Sequence, residues 1–125
     1  MKENLKERVQ GEIRIKTTND MAPPHLIEKG IFVYSTPSMV GHMERASLEA
    51  IRDLLDEDET SVGVTVNISH LAATKIGETI RVTSKVLNVD RRKITFSVEA
   101  YNEREKIGEG THQRVIIKKT RFEKK

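Results

Sequence analysis

Cysteine and tryptophan are both missing from this chain, and its aromatic side chains are three phenylalanines and two tyrosines. Without cysteine there is no disulfide, no thiolate nucleophile and no thiolate metal site. Four histidines scattered along the sequence do not make a metal centre without a ligand spacing to match. No run approaches the ~20 apolar residues of a membrane-spanning helix. The stretch Met1 to Arg8 lacks the apolar segment of a signal peptide. A cytoplasmic protein with no membrane partner is the expectation. The shortage of large aromatics limits the core: 125 residues, 36% hydrophobic and 33% charged, make a single domain, 1–125, with a thin interior. A homodimer, or a dimer of dimers, is expected to supplement it.

Charge of either sign is not in large excess. There are 22 basic and 19 acidic residues, for a net charge of +3. The surplus lies in the tail from Lys118 to Lys125, which reads as a solvated terminus rather than a nucleic-acid patch. Residues 1–8 and 119–125 are expected to fray.

Periodicity supplies the elements. Val9 to Thr17 alternates through Ile13 and Ile15 and reads as a strand. Asn19 to Gly30, with Pro23-Pro24, reads as a loop, and Ile31 to Tyr34 is a short apolar run. A helix follows, with Thr36 as N-cap and Pro37 at N1, where a missing N–H costs nothing. It runs to about Leu55. Met39, Val40, Met43, Ala46, Ser47, Ala50, Ile51 and Leu54 form its apolar face, and Arg45, Glu49, Arg52, Asp53 and Asp56 its wet face. Asp56-Glu57-Asp58-Glu59 reads as an acidic turn whose role is solvation. Four strands come next: Val62 to Leu71, Glu78 to Asp90, Lys93 to Asn102, and Ile107 to Lys118, the last broken by Gly108 and Gly110. Short connections imply antiparallel pairing. About five strands with one helix on their apolar face make an α+β domain.

Two ionisable residues fall on those apolar faces. Glu44 has Val40, Leu48 and Ile51 as helical neighbours. His70 ends the alternation Val62, Val64, Val66, Ile68 and is read as lying on the same inward face. Inward-facing ionisable groups are costly unless paired, and in a cleft they are candidates for chemistry. A carboxylate beside an imidazole suits general acid–base work. Thr36 completes the set, but it cannot reach Glu44 along one helix, since eight residues rise about 12 Å. Either the chain bends back before Pro37, or Thr36 meets Glu44 of a second subunit; a dimer with two such helices side by side is the preferred expectation.

The segments Val33-Tyr34-Ser35-Thr36-Pro37-Ser38-Met39-Val40-Gly41-His42-Met43-Glu44, Ser69-His70-Leu71-Ala72-Ala73-Thr74-Lys75-Ile76-Gly77-Glu78-Thr79 and Ile107-Gly108-Glu109-Gly110-Thr111-His112-Gln113-Arg114 resemble the fluoroacetyl-CoA thioesterase-like branch of the hotdog-fold superfamily. The likeness extends from about Glu12 to Ile117. It implies a sheet wrapped around one long helix, and a homodimer with an acyl-CoA site at the subunit interface. Thr36, Glu44 and His70 fall on the family's catalytic positions, and Gly63 and Arg114 on positions beside the acyl group. No cofactor is implied beyond the coenzyme A of the substrate, and no nucleic acid. Ala46, Ser47 and Ala50 would suit a modest acyl pocket. Backbone N–H groups near the helix start would hold an oxyanion. Arg81, Lys85, Arg91, Arg92 and Lys93 are available to CoA phosphates, though exposed cations are common on any soluble domain. Three other readings share this fold. One is a hydratase or dehydratase, which commonly uses Asp with His. Another is a non-catalytic acyl-CoA-binding module. The third is a purely structural dimer, which would leave the inward Glu44 and His70 unexplained.

Overall fold

A computed structural model describes residues 1–122. Five strands form one antiparallel sheet: β1 (Gln10–Lys16), β2 (Glu59–His70), β3 (Thr79–Asp90), β4 (Lys93–Tyr101) and β5 (Lys106–Lys118). Their spatial order is β1-β3-β4-β5-β2. The first two strands in sequence are therefore the two edges of the sheet, and the chain must cross its whole face between them. The long helix α2 (Thr36–Ile51) makes that crossing and packs chiefly on β1 and β3. This is the expected α+β hotdog arrangement.

The core follows the predicted faces on β3 and β4. Ile80, Val82 and Val86 of β3, and Ile94, Phe96, Val98 and Ala100 of β4, are buried against Met39, Met43, Ala46 and Ile51 of α2. Ser47 and Ser84 add a buried hydroxyl pair at 2.7 Å. Ala46, Ser47 and Ala50 are thus spent on helix–sheet contact rather than on an acyl pocket. β5 is not broken by its glycines. A Cβ on Gly108 would lie 2.5 Å from the Met39 sulfur, so glycine is what lets the helix seat there.

Five local expectations are corrected. The stretch 19–30 holds a 3-10 turn at Asn19–Met21 and a short helix, α1 (Pro24–Ile27). α2 ends at Ile51 and tightens into a 3-10 turn at Arg52–Leu54. Residues 1–8 are not frayed: Leu5 is buried in the core, and Arg8 donates its N–H to the Val86 carbonyl at 2.9 Å. Glu59 does more than solvate a turn. It is buried at the start of β2 and pairs with Arg92 at 2.7 Å and with the Met1 ammonium at 2.5 Å. Residues 119–121 form a 3-10 turn; the rest of the expected frayed tail, 123–125, lies outside the described residues.

The largest correction concerns β2. The register against β5 shifts between Gly63 and Thr65, a β-bulge with Val64 as the extra residue. A bulge inverts the alternation. Before it, Ser61 and Gly63 share the inner face with Ile116 and Arg114 of β5; after it, Val66 and Ile68 pair with His112 and Gly110. Val62 falls on the outer face, and Val62, Val64 and Val66 stay exposed on the free edge of the sheet.

Candidate active site

Two polar clusters lie at the margin of the apolar seam between α2 and the sheet, and the expectation of a buried carboxylate is corrected: Thr36 is exposed and the Glu44 side chain is 40% exposed. The first lies where the start of α2 meets the end of β2. Ser35, rather than Thr36, is the N-cap: its hydroxyl accepts from the Ser38 N–H at 3.1 Å. Thr36 is thereby released from capping, and its Oγ1 stands 2.7 Å from His70 Nδ1. Burial holds the His70 imidazole below the ordinary histidine value, which favours the neutral ring. With Nδ1 bare, that ring accepts the Thr36 proton, the geometry of a hydroxyl beside a general base. His70 Nε2 is buried with no hydrogen-bond partner among the described residues. The ring of Tyr34 meets His70 edge-on, with centroids 6.5 Å apart. Burial pushes the Tyr34 phenol up, so it stays protonated and donates to His42 Nδ1 at 2.6 Å. Thr36 and His70 open on a cavity of about 440 Å³ walled by Leu26, Val33 and Leu71.

The second cluster lies two turns further along α2. Glu44 faces Arg114 of β5, with Oε2 3.8 Å from Nη1. Arg114 is buried, and its guanidinium is held from three sides: Nε donates to Ser61 Oγ at 2.8 Å, Nη2 to the Ser61 carbonyl at 3.0 Å, and Nη1 to His112 Nε2 at 3.1 Å. Gly63 closes the cluster. A Cβ there would stand 3.0 Å from Glu44 Oε2 and 3.1 Å from His112 Cε1, so any larger residue would press on the carboxylate and shift it by tenths of an ångström.

Of the five residues singled out by sequence, the fold joins Thr36 to His70, and joins Glu44 to Gly63 and Arg114. The expected contact of Glu44 with His70 is not made within the chain, because the helix carries Thr36 and Glu44 to different places on the sheet. Ser61 was missed, and His112 was noted in its motif without a role. Ser61 lies just before the predicted strand start. His112 is two residues from Arg114 on a strand, and so shares its face. The helix-start oxyanion site is partly spent, since the Ser38 and Met39 N–H groups already donate to Ser35. Among the basic residues, Arg81 is stacked over Tyr101 at 4.4 Å and Arg92 is tied to Glu59. Lys85, Arg91 and Lys93 are exposed. A second hollow, about 410 Å³ between Leu48, Leu55 and Thr60, contains none of the five. No helix among the described residues is long and apolar enough to cross a membrane.

Fold and family together define the class: a thioester hydrolase of the hotdog fold. The family model that matches describes the fluoroacetyl-CoA-specific thioesterase and spans residues 17–120, and the chain belongs to this family. The fluoroacetyl-CoA thioesterase of Streptantibioticus cattleyicolor is 32% identical over 120 residues, 87% of this chain and 86% of that protein. A solved fluoroacetyl-CoA thioesterase superposes with a TM-score of 0.86 at 28% identity, covering 96% of this chain and 93% of the other. One mutant of it was solved with acetyl-CoA (TM-score 0.87, 27% identity, covering 94% and 93%). A thioesterase-superfamily member from Thermus thermophilus matches with a TM-score of 0.85 at 29% identity, covering 95% and 88%.

Proposed function

We propose that this chain hydrolyses the thioester of a short or small acyl-CoA in the cytoplasm, at a site completed across a homodimer. Thr36 and His70 come from one subunit, and Glu44 of the partner subunit supplies the carboxylate. The observation that carries this reading is the Thr36–His70 hydrogen bond at 2.7 Å, made without Glu44. A hydroxyl and a base are in place, and the carboxylate that the family pattern places with them is turned to Arg114. The exposed edge of β2, with Val62, Val64 and Val66, supports a second copy at this end of the sheet. Gly63 brings the backbone of β2 close beside Glu44, and Arg114 is that carboxylate's counter-charge.

In the reaction, His70 takes the proton of the nucleophile, either Thr36 or a water beside it. The nucleophile attacks the thioester carbonyl, the oxyanion collapses, and the CoA thiolate leaves with the proton held by His70; where Thr36 is the nucleophile, a water that gives its proton to His70 then cleaves the acyl-Thr36 ester and restores the hydroxyl. Thr36→Ala and Glu44→Ala chains are each expected to be inactive. Refolded together in equal amounts they should regain about a quarter of wild-type CoA release, since half of the pairs are mixed and one of their two sites is whole. Failure to regain any activity overturns the shared site. Saturable acyl-CoA binding by the wild type without release of CoA from any thioester identifies a binding module instead.

A further inference from the structure

The second cluster contains a histidine that the reaction above does not use. His112 is about 1% exposed and lies at the centre of four elements. Its ring stacks on Phe96 of β4, with centroids 6.0 Å apart. Its Nδ1 is 2.9 Å from the Thr65 carbonyl of β2, and its Nε2 is 3.1 Å from Arg114 Nη1 of β5. Glu44 of α2 lies beyond that guanidinium. These partners determine the proton position. A carbonyl only accepts, so Nδ1 carries the hydrogen. A guanidinium only donates, so Nε2 is bare. The bulge at Gly63–Thr65 is what turns the Thr65 carbonyl to this ring.

Arg114 Nη1 has two acceptors in reach of different strength. His112 Nε2 is at hydrogen-bond distance. Glu44 Oε2, at 3.8 Å, is close enough for attraction but too far for a hydrogen bond. Without the imidazole, a charged donor beside a carboxylate would close on it and form the stronger charge-assisted bond. We infer that His112 is a positioning residue: its bare Nε2 holds the Arg114 guanidinium one step short of Glu44, so that the carboxylate keeps its oxygens for the reaction. The inference rests on Glu44 being the working carboxylate of the proposed hydrolase.

His112→Gln and His112→Phe separate this role from packing. Gln offers an amide that can accept from Arg114 and donate to Thr65. Phe keeps the ring stacked on Phe96 but has no acceptor. The expectation for CoA release from acetyl-CoA is that His112→Gln stays within about threefold of wild type. His112→Phe should lose about 10- to 100-fold in kcat with KM nearly unchanged, the scale of a small misplacement at a reacting group. Nitrogen-15 NMR of the folded wild type should find His112 as the Nδ1–H tautomer at neutral pH, hydrogen-bonded through both nitrogens. An Nε2–H or cationic ring overturns the inference, as does a His112→Phe protein with wild-type kcat. Should His112→Phe fail to fold, the tautomer and the His112→Gln kinetics still decide. A wild type that releases no CoA from any thioester defeats the hydrolase reading instead, and leaves the NMR result standing as a test of the Arg114 contact.

Discussion

Thr36 and Glu44 stand on one helix, about 12 Å apart in rise, and each has its own partner: Thr36 bonds His70 at 2.7 Å, and Glu44 pairs with Arg114 at 3.8 Å. Removing either side chain should leave the other cluster intact. Glu44→Ala and His70→Ala are each expected to lower CoA release by about 10²- to 10⁴-fold, the range for loss of a general acid or base. Gel filtration should find the assembly of each variant unchanged. Full activity in both variants would sink the assignment.

Gly63→Ala tests how closely β2 must approach the carboxylate. The new methyl group would stand 3.0 Å from Glu44 Oε2 and 3.1 Å from His112 Cε1. The carboxylate must shift by tenths of an ångström, and activity should fall about 10- to 100-fold. The fold should tolerate the change, because Gly63 is on an edge strand and does not have a positive φ. Steady-state kinetics beside a thermal melt will distinguish this from general destabilisation.

Acid should weaken the fold in two stages. Burial holds the imidazoles of His42, His70 and His112 below the ordinary histidine value, with nearby Arg45 and Arg114 adding to it at His42 and His112. The unfolded chain then binds these protons more tightly, so stability is full above about pH 6.5 and falls as the pH drops below it. Glu59 acts lower down. Burial alone would raise its carboxyl, but hydrogen bonds from the Met1 ammonium, the Asp56 N–H and Arg92 hold it at about 2. Its contribution is present above about pH 4.3 and disappears as the pH falls towards the folded value. Urea midpoints taken across this range should fall in both windows, and a flat profile through the first would refute the histidine assignment.

Glu59→Gln isolates the second stage. The side chain is 2% exposed but its Arg92 partner is 46% exposed, so solvent screens part of the pair. A loss of about 1–2 kcal/mol is expected. Activity per folded molecule should be unaltered, since Glu59 belongs to neither polar cluster.

Much of this molecule was legible in order along the sequence, because two periods carry it. The 3.6-residue spacing of Met39, Met43, Ala46 and Ala50 located the helix, and the alternation of Ile94, Phe96, Val98 and Ala100 located a strand and its buried face. Glu44 and His70 stood out against those patterns, and Gly63 and Arg114 were found through family likeness. What stayed hidden depended on one-residue events that periodicity does not register. The bulge at Val64 turned Val62 outward and Ser61 inward. Capping by Ser35 rather than Thr36 turned on a choice between adjacent hydroxyls of nearly equal propensity. His112 stood within a quoted motif but without a role, because a histidine on a strand becomes informative only when the partners of both ring nitrogens are known.

The strand order carries a consequence for how the protein is made. Within the sheet β2 pairs with β5 alone, and Glu59 at its start stands opposite Lys118 near the end of β5. Glu44 likewise waits for Arg114 and His112 of that same strand. On a ribosome α2 can pack on β1 and β3 once β3 has emerged, but β2 emerges early and has no strand partner until β5 has been synthesised. Such distant pairings are slow to form because a long loop must close first. Until then the exposed valines of β2 are open to pairing with other nascent chains. A stalled or shortened chain lacking β5 would carry Thr36 and His70 and still have no set guanidinium behind Glu44, which ties the appearance of catalytic competence to the last step of folding.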